Sequence, residues 1–312
     1  MDGGSRIEIV SDSNNYRGRA KLDRVVWLVT PDMSAAATRL LSGEADFLEV
    51  VRGATVDQVV ASTKTRLMTA PSLDYGFLAF NVRRPPFNDR DVRRALSMSV
   101  DRAALVRNVF DTLAIPGLGP VTSVLMASKG LSAIPYDSDA AAKILAAHAP
   151  ISFRILVPTS SAVRMKYATL LQSQYSRFGI KVTIEPMEVN AFVQRLTKGD
   201  FDAVLNAWHT DPSPAAVLQA WGGSSMPPQG ANFAGYRNPA FDALVDSASR
   251  SFDPNVALGQ YGRAYSLIDA DAPAVWLYEA RNVSGVNRRV HVASVRADAW
   301  WSDLADWTIA PR

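Results

Sequence analysis

The feature that most constrains the fold is a regular alternation of strand-like and helix-like segments between residues 151 and 207. Short apolar, β-branched runs at 151–157, 180–186 and 201–207 are separated by segments with helical spacing at 162–178 and 191–198. Strands that alternate with helices in this way are joined by right-handed crossovers into a largely parallel sheet. The sequence therefore predicts an α/β fold in which helices cover a sheet.

The flanking regions repeat this mixed character. Their patterns predict strands at 21–30, 45–48, 75–81 and 272–278 and helices at 35–41 and about 255–269. Two helices are predicted to end on glycine, at Gly43 and Gly199, and to be followed by a return to a sheet. Helix N-caps are predicted at Asn88, Asp101 and Asn238, the last followed by Pro239.

Composition excludes several kinds of function. The chain has 33 basic and 30 acidic residues, and the basic doublets alternate with carboxylates, so there is no clustered basic face for nucleic acid. It has no cysteine, which excludes disulfides and thiolate metal sites. The glycine-rich, nucleophile-elbow and zinc-protease motifs of common enzymes are missing from the sequence. We therefore expect no catalytic residue, no metal and no cofactor.

The sequence also bears on membrane insertion, and this chain shows no signal peptide. The opening residues 1–6 lack the apolar core of a signal peptide, and no later run approaches the ~18 apolar residues of a membrane span. We therefore expect no membrane insertion.

The segment 201–214 carries the strongest candidate site. A strand leads into a proline-rich turn, so Trp208 and Asp211 are expected at the carboxyl edge of the sheet, where ligands of open α/β sheets bind. A carboxylate beside an aromatic ring suits an ammonium group. Two alternatives stay open: Trp208 is a core residue and Asp211 caps the turn, or His209 and Asp211 form an acid/base pair of a hydrolase.

Several longer motifs follow one another along the chain. The most specific is the run FNVRRPPFNDRDVRRAL at 80–96, followed by Val100-Asp101-Arg102. The others are NYRGRAKLD at 15–23, WHTDPSP at 208–214, NFAGYRNPAFD at 232–242, DAPAVWLY at 271–278 and LADW at 304–307. In sequence and order these motifs resemble the family 5 extracellular solute-binding proteins, which include the dipeptide-, oligopeptide- and nickel-binding components of ABC importers. The resemblance spans nearly the whole chain.

The resemblance implies a two-lobed, periplasmic-binding-protein-like clamp (type II) that closes over a solute. The implied organisation is a first lobe at 1–125, a second lobe at 126–275 and a return segment at 276–312. By matching positions, Asp211 is expected to pair with a peptide amino terminus. The other residues expected on or near the cleft are Trp208, Asn232, Asn81 and Tyr278.

The implied partners are a peptide or similar small polar solute and the ABC permease subunits, in the periplasm or another extracytoplasmic space. Two departures from the family pattern matter. Ser213 stands where the family has a second aspartate, which bears on the charge preference of the site. The family's N-terminal part is not in this sequence, so the first lobe is expected to be incomplete, to expose a sheet edge and to be marginally stable, with that missing portion as a further partner. One other function stays open: the ligand-sensing domain of a cytoplasmic regulator.

Overall fold

The computed structural model describes residues 6–30 and 32–311, so most of the opening segment 1–6 lies outside the described residues. The chain divides into two compact units. Unit 1 comprises the described residues up to Ser72 and those from Arg281 onward, and unit 2 comprises Leu73–Ala280. Residues 73–125, which the sequence analysis assigned to the first lobe, lie in unit 2 of this division. The lobe boundaries themselves stay a prediction.

The strands and helices alternate along most of the chain, which confirms the α/β class. The strands are β1 (Arg6–Val10), β2 (Arg24–Leu28), β3 (Phe47–Leu48), β4 (Thr65–Phe80), β5 (Ala114–Pro116), β6 (Ser152–Pro158), β7 (Lys181–Met187), β8 (Ala203–His209), β9 (Ala274–Asn287), β10 (Val290–His291) and β11 (Thr308–Ile309). The helices are α1 (Met33–Ser42), α2 (Ala54–Ala61), α3 (Arg90–Met98), α4 (Arg102–Phe110), α5 (Ser138–Ala147), α6 (Ala162–Ser176), α7 (Val189–Lys198), α8 (Val217–Trp221), α9 (Pro239–Ser249) and α10 (Pro254–Asp271).

The sheet of unit 2 is built on the predicted strand–helix alternation. Strand β6 pairs in parallel with both β7 and β8, so the crossover helices α6 and α7 connect parallel strands as expected. Antiparallel pairing of β8 with β4 makes the complete sheet mixed. Ile155 at the centre of β6 is fully buried, and Tyr167, Leu171 and Tyr175 of α6 pack into the same cluster. Ala203 and Leu205 of β8 belong to this core as well.

Helix ends follow the predicted capping chemistry, with one correction. Asp101 and Asn238 accept hydrogen bonds from backbone N–H groups in the first turns of α4 and α9, as predicted. Asn88 is not the cap of α3, because the helix begins one residue later and the Asp89 side chain accepts from the Asp91 N–H. Gly43 and Gly199 end α1 and α7 with φ values of 86° and 65°, a left-handed conformation that glycine adopts at low cost.

Unit 1 is smaller and contains short strand pairs. Strand β1 pairs with β2, and β10 pairs with β11, both antiparallel. Strand β3 pairs with the part of β9 that lies in unit 1, where Phe47 stands opposite Val286. A cluster around Val286, Val290 and Trp307 forms a small core with Phe47 packed against it. The strand predicted at 272–278 is too short, because β9 continues to Asn287.

Candidate functional site

The end of β8 is held by the neighbouring strand β4. In the antiparallel ladder with β4, Trp208 stands opposite Tyr75 and His209 stands opposite Asp74. After the strand, the Thr210 N–H donates to the Leu73 carbonyl at 3.0 Å, and Thr210 is buried. The chain is therefore fixed up to Thr210, and the turn that follows starts from a defined position.

Trp208 contributes to a small apolar cavity on one face of the sheet. Because side chains alternate along a strand, Val204, Asn206 and Trp208 share this face, where they meet Phe77 and Trp221. The cavity has room for about one water molecule.

The indole N–H of Trp208 is a buried donor without a hydrogen-bond partner among the described residues. A buried donor left unpaired costs about 1–3 kcal/mol. The neighbouring Trp221 shows the contrast, since its Nε1 donates to the Tyr75 hydroxyl at 3.0 Å. Trp208 therefore offers a donor that a water or a ligand oxygen can satisfy.

Asp211 lies just beyond the fixed part of the chain and is exposed. Its Oδ2 atom accepts a hydrogen bond from Nε2 of Gln219 on α8 at 2.9 Å. The donor is a side-chain amide and not a backbone N–H, so the recorded contact is not the turn cap that the sequence left open. A neutral amide leaves the negative charge of the carboxylate uncompensated, and Asp211 can still bind a cation.

His209 has a different carboxylate partner from the one proposed for a hydrolase. Its Nδ1 atom lies 2.9 Å from Oδ1 of Asp74 on the neighbouring strand, and both side chains are exposed. The pair with Asp211 is thus replaced by a cross-strand pair with Asp74. This geometry does not support the hydrolase alternative.

Asn81 and Asn232 are buried, and backbone groups engage their side-chain amides. Nδ2 of Asn81 donates to the carbonyls of Gly199 and Phe201 at 3.0 and 3.1 Å. Nδ2 of Asn232 donates to the carbonyls of Gly222 and Tyr236 at 2.9 and 2.8 Å, and its Oδ1 accepts from the Tyr236 N–H at 3.1 Å. These bonds fix loop backbone, and any contact of either asparagine with a ligand stays a prediction.

Tyr278 lies away from Trp208. It belongs to the core cluster with Ala203 and Leu205, which occupy the face of β8 opposite to Trp208. Its ring centroid is 4.8 Å from that of Phe110 and 5.2 Å from that of Tyr167. A Cβ atom at Gly76 would lie 2.1 Å from the Tyr278 ring, so glycine is required there.

Sequence reasoning missed Arg164, which lies beside Tyr278 in the first turn of α6. Desolvation by burial lowers the pKa of the Arg164 guanidinium, and the nearby Tyr278 partly offsets this effect. Its side chain makes no hydrogen bond or ion pair to any described residue, and the buried hydroxyl of Tyr167 also has no partner among them. A cation, a phenol and a helix N-terminus together attract an anion.

A signal for Arg164 was present in the sequence. An arginine in the first turn of a helix is unfavourable for the helix dipole, which prefers negative charge at that end. Such a residue therefore suggests a compensating anion. Periodicity alone gives it no special role, because arginine is common on the solvated faces of helices.

The described residues contain neither a metal-binding cluster nor a membrane-spanning helix. No group of three or more His, Cys, Asp or Glu side chains is arranged to hold a metal ion there. Over the same ranges, no helix combines the length and the apolar character that crossing a bilayer requires.

The known proteins that this chain resembles are solute-binding proteins. Residues 1–227 match the family described as bacterial extracellular solute-binding proteins, family 5 middle. Relatives include heme-binding protein A of Haemophilus influenzae, 25% identical over 89% of this chain and 52% of that protein. Another is the oligopeptide-binding protein AppA of Bacillus subtilis, 25% identical over 89% of this chain and 54% of that protein. The chain thus spans about half the length of the curated relatives it matches.

Solved structures show the same fold. The substrate-binding protein CtaP of Listeria monocytogenes superposes with a TM-score of 0.89 at 20% identity, over 99% of this chain and 65% of that one. AppA of Bacillus subtilis, solved in complex with a nonapeptide, superposes with a TM-score of 0.75 at 23% identity, over 100% of this chain and 65% of that one.

Proposed function

Because the chain belongs to the bacterial extracellular solute-binding proteins of family 5, we propose that it forms part of the substrate-binding component of an ABC importer. It binds peptides or similar small polar solutes outside the cytoplasmic membrane and delivers them to the permease subunits. The relatives whose names specify oligopeptides and di- or tripeptides support this substrate class. The chain itself transforms nothing, and the importer supplies the energy for transport.

The observation that carries the proposal is a pair of unneutralised charges of opposite sign in unit 2. The carboxylate of Asp211 is exposed and contacts the amide of Gln219. Arg164 is half-buried, and its guanidinium has no carboxylate partner among the described residues. Asp211 follows β8 and Arg164 follows β6, and because these strands are parallel neighbours both residues come after the same edge of the sheet. A free peptide carries an ammonium group at one end and a carboxylate at the other, so each protein charge has a complementary ligand charge.

The residues divide the recognition between them. Asp211 binds the ammonium group through charge-assisted hydrogen bonds. Arg164 binds the carboxylate with the help of the Tyr167 hydroxyl, Tyr278 and the N-terminus of α6. Trp208 donates its indole N–H to a single water in its cavity, and that water bridges to the peptide. Side chains of the peptide are not read by charge, which fits a broad range of peptides.

Asn81 and Asn232 act indirectly in this proposal. Their amides hold the backbone of the loops before β8 and after α8, as described above. They therefore support the positions of Trp208 and Asp211 without touching the solute.

The test is calorimetric titration of the chain with a free tripeptide such as Ala-Ala-Ala. The substitution Asp211→Ala should weaken binding by about 2 kcal/mol, or roughly 30-fold, because the ammonium group loses its partner. Binding of the N-acetylated tripeptide should be the same in both proteins. Asp139→Ala, which removes an exposed carboxylate elsewhere in unit 2, is the matched control and should change nothing. Equal affinity of the Asp211→Ala protein for the free tripeptide would reject the proposed role.

A further inference from the structure

A second concave surface lies in unit 2, apart from the residues discussed so far. It is a groove of about 640 Å³ between α9, α10 and the segment 129–131, and it shares no lining residue with the cavity at Trp208. Its rim is exposed at Lys129, Gly259, Arg263 and Ser266. We call this surface the α10 groove.

Two glycines of α10 create the depth of the groove. A Cβ atom at Gly259 would meet no heavy atom within 4 Å, and at Gly262 the nearest is the carbonyl oxygen of Ala127 at 3.9 Å. Glycine inside a helix costs about 1 kcal/mol relative to alanine. Neither position requires glycine for packing, so the two residues weaken the helix while they keep the groove open.

The charges that line the groove have one sign. Lys129 and Arg263 form no ion pair and no side-chain hydrogen bond with any residue the structure describes. The carboxylates of α9 are engaged elsewhere, because Asp246 pairs with Arg250 at 2.9 Å and Asp242 accepts from the Gly223 N–H at 3.1 Å. The lining therefore presents two cations and no carboxylate.

The rest of the lining is apolar and half-buried. Leu131, Leu244 and Leu267 line the groove together with the two cations and the glycines. A ligand that fits this surface has negative groups for the cations and an apolar group for the leucines.

We propose that the α10 groove binds an acidic, leucine-bearing segment of a partner protein. Two carboxylates of the segment pair with Lys129 and Arg263, and an apolar side chain enters over Gly259 and Gly262. The open, exposed rim favours a segment of a macromolecule, since small-molecule sites enclose most of their ligand. The inference does not depend on the proposed solute site, because none of the residues in that site lines the groove.

The probe for this test is a fluorescein-labelled peptide, Glu-Leu-Asp-Glu-Leu, with its C-terminus amidated and the label on its N-terminus, so that it has no free ends. Its comparison peptide carries Gln and Asn in place of the acids. Fluorescence anisotropy with the unmodified chain at low salt should show binding of the acidic peptide that is at least about tenfold tighter than that of the neutral one. The difference should shrink as salt screens the charges.

Three variants locate the binding. The double substitution Lys129→Gln with Arg263→Gln removes the charges, and Gly259→Leu fills the groove while improving helix propensity. Each should weaken acidic-peptide binding at least about tenfold. Lys143→Gln, at an exposed cation on α5, is the control and should have no effect. All variants should bind the free tripeptide as the unmodified chain does, which separates this test from that of the solute site.

Three results would overturn the inference. The first is equal binding of the acidic and neutral peptides, or no binding of either. The second is an unchanged affinity in the double variant or in Gly259→Leu. The third is displacement of the labelled peptide by succinate at an equal concentration of carboxylate, which would assign the groove to small anions.

Discussion

Strands β1 and β6 have similar residues and very different surroundings. Both contain isoleucine and valine in a short run. In β1 of unit 1, Ile7 and Ile9 are 61% and 49% exposed, and β1 pairs with β2 in a two-stranded sheet. In β6 of unit 2, Ile155 is fully buried, with strands on both edges and α6 packed on it.

This contrast separates backbone preference from burial in a β-branched run. The run favours an extended backbone, but burial is set by the strands and helices that cover it. A two-stranded ribbon has little independent stability, whereas a covered strand with two neighbours is part of a cooperative core. The two units should therefore differ in stability, and each prediction below tests that difference.

The largest expected effect is in native-state hydrogen exchange. Amides of β6 open only with the core of unit 2, whereas amides of β1 open with the local ribbon. We expect exchange in β6 to be at least about 1000-fold slower than in β1. Mass spectrometry of peptic fragments measures both strands in one sample. Equal protection of the two strands would contradict the comparison.

A pair of matched substitutions gives the next effect. Ile155→Ala leaves a cavity in the core and should reduce the free energy of unfolding by about 2–5 kcal/mol. Ile9→Ala removes the same atoms from an exposed strand and should change it by less than about 0.5 kcal/mol. Urea unfolding followed by circular dichroism measures both. Similar losses would mean that β1 is covered in solution.

A buried carboxyl group of unit 2 gives a pH-dependent effect. Burial raises the pKa of Asp269 to about 6, although Trp276 donates to it at 2.9 Å. Because the folded state holds the proton more tightly than the unfolded state, this contribution to stability is complete below about pH 4. It is lost as the pH rises through about 6, by up to about 3 kcal/mol.

Asp269→Asn tests this contribution, because the amide oxygen can still accept from Trp276 but cannot ionise. The free energy of unfolding of the variant should fall less between pH 4 and pH 7 than that of the unmodified chain. Asp46 of unit 1 provides a contrast with Asp269. Asp46 forms a salt bridge with Arg289 at 2.7 Å, whereas Asp269 is buried and forms none with the described residues. Parallel pH profiles of the variant and the unmodified chain would show that Asp269 does not titrate in this range.

The core of unit 2 could be predicted from the sequence because its signals are local. The predicted helix at 162–178 matches α6, and the cap at Asn238 was correct because its side chain and Pro239 act within one turn. The sequence predicts only the first part of β9, because Glu279 and Ser284 have polar side chains typical of surface residues. Tertiary contacts nevertheless bury both. Non-local burial of polar groups has no periodic signature.

The candidate site was predictable to a smaller extent. The turn after β8 and the exposure of Asp211 follow from the order of strand, tryptophan and proline. Arg164 was missed because its importance comes from burial beside Tyr278, which is more than a hundred residues away in sequence. The cleft position of Asn81 and Asn232 stays a prediction, and the sequence could not reveal that backbone carbonyls engage their amides.

The claim that the chain recognises a peptide by its two charged ends can be tested on the unmodified protein. Calorimetry would compare one tripeptide in four forms: free, N-acetylated, C-amidated and blocked at both ends. We expect each single block to weaken binding about tenfold or more and the doubly blocked peptide to bind weakest, because Asp211 and Arg164 each lose an opposite charge. Equal affinities of the free and doubly blocked tripeptides would contradict the account.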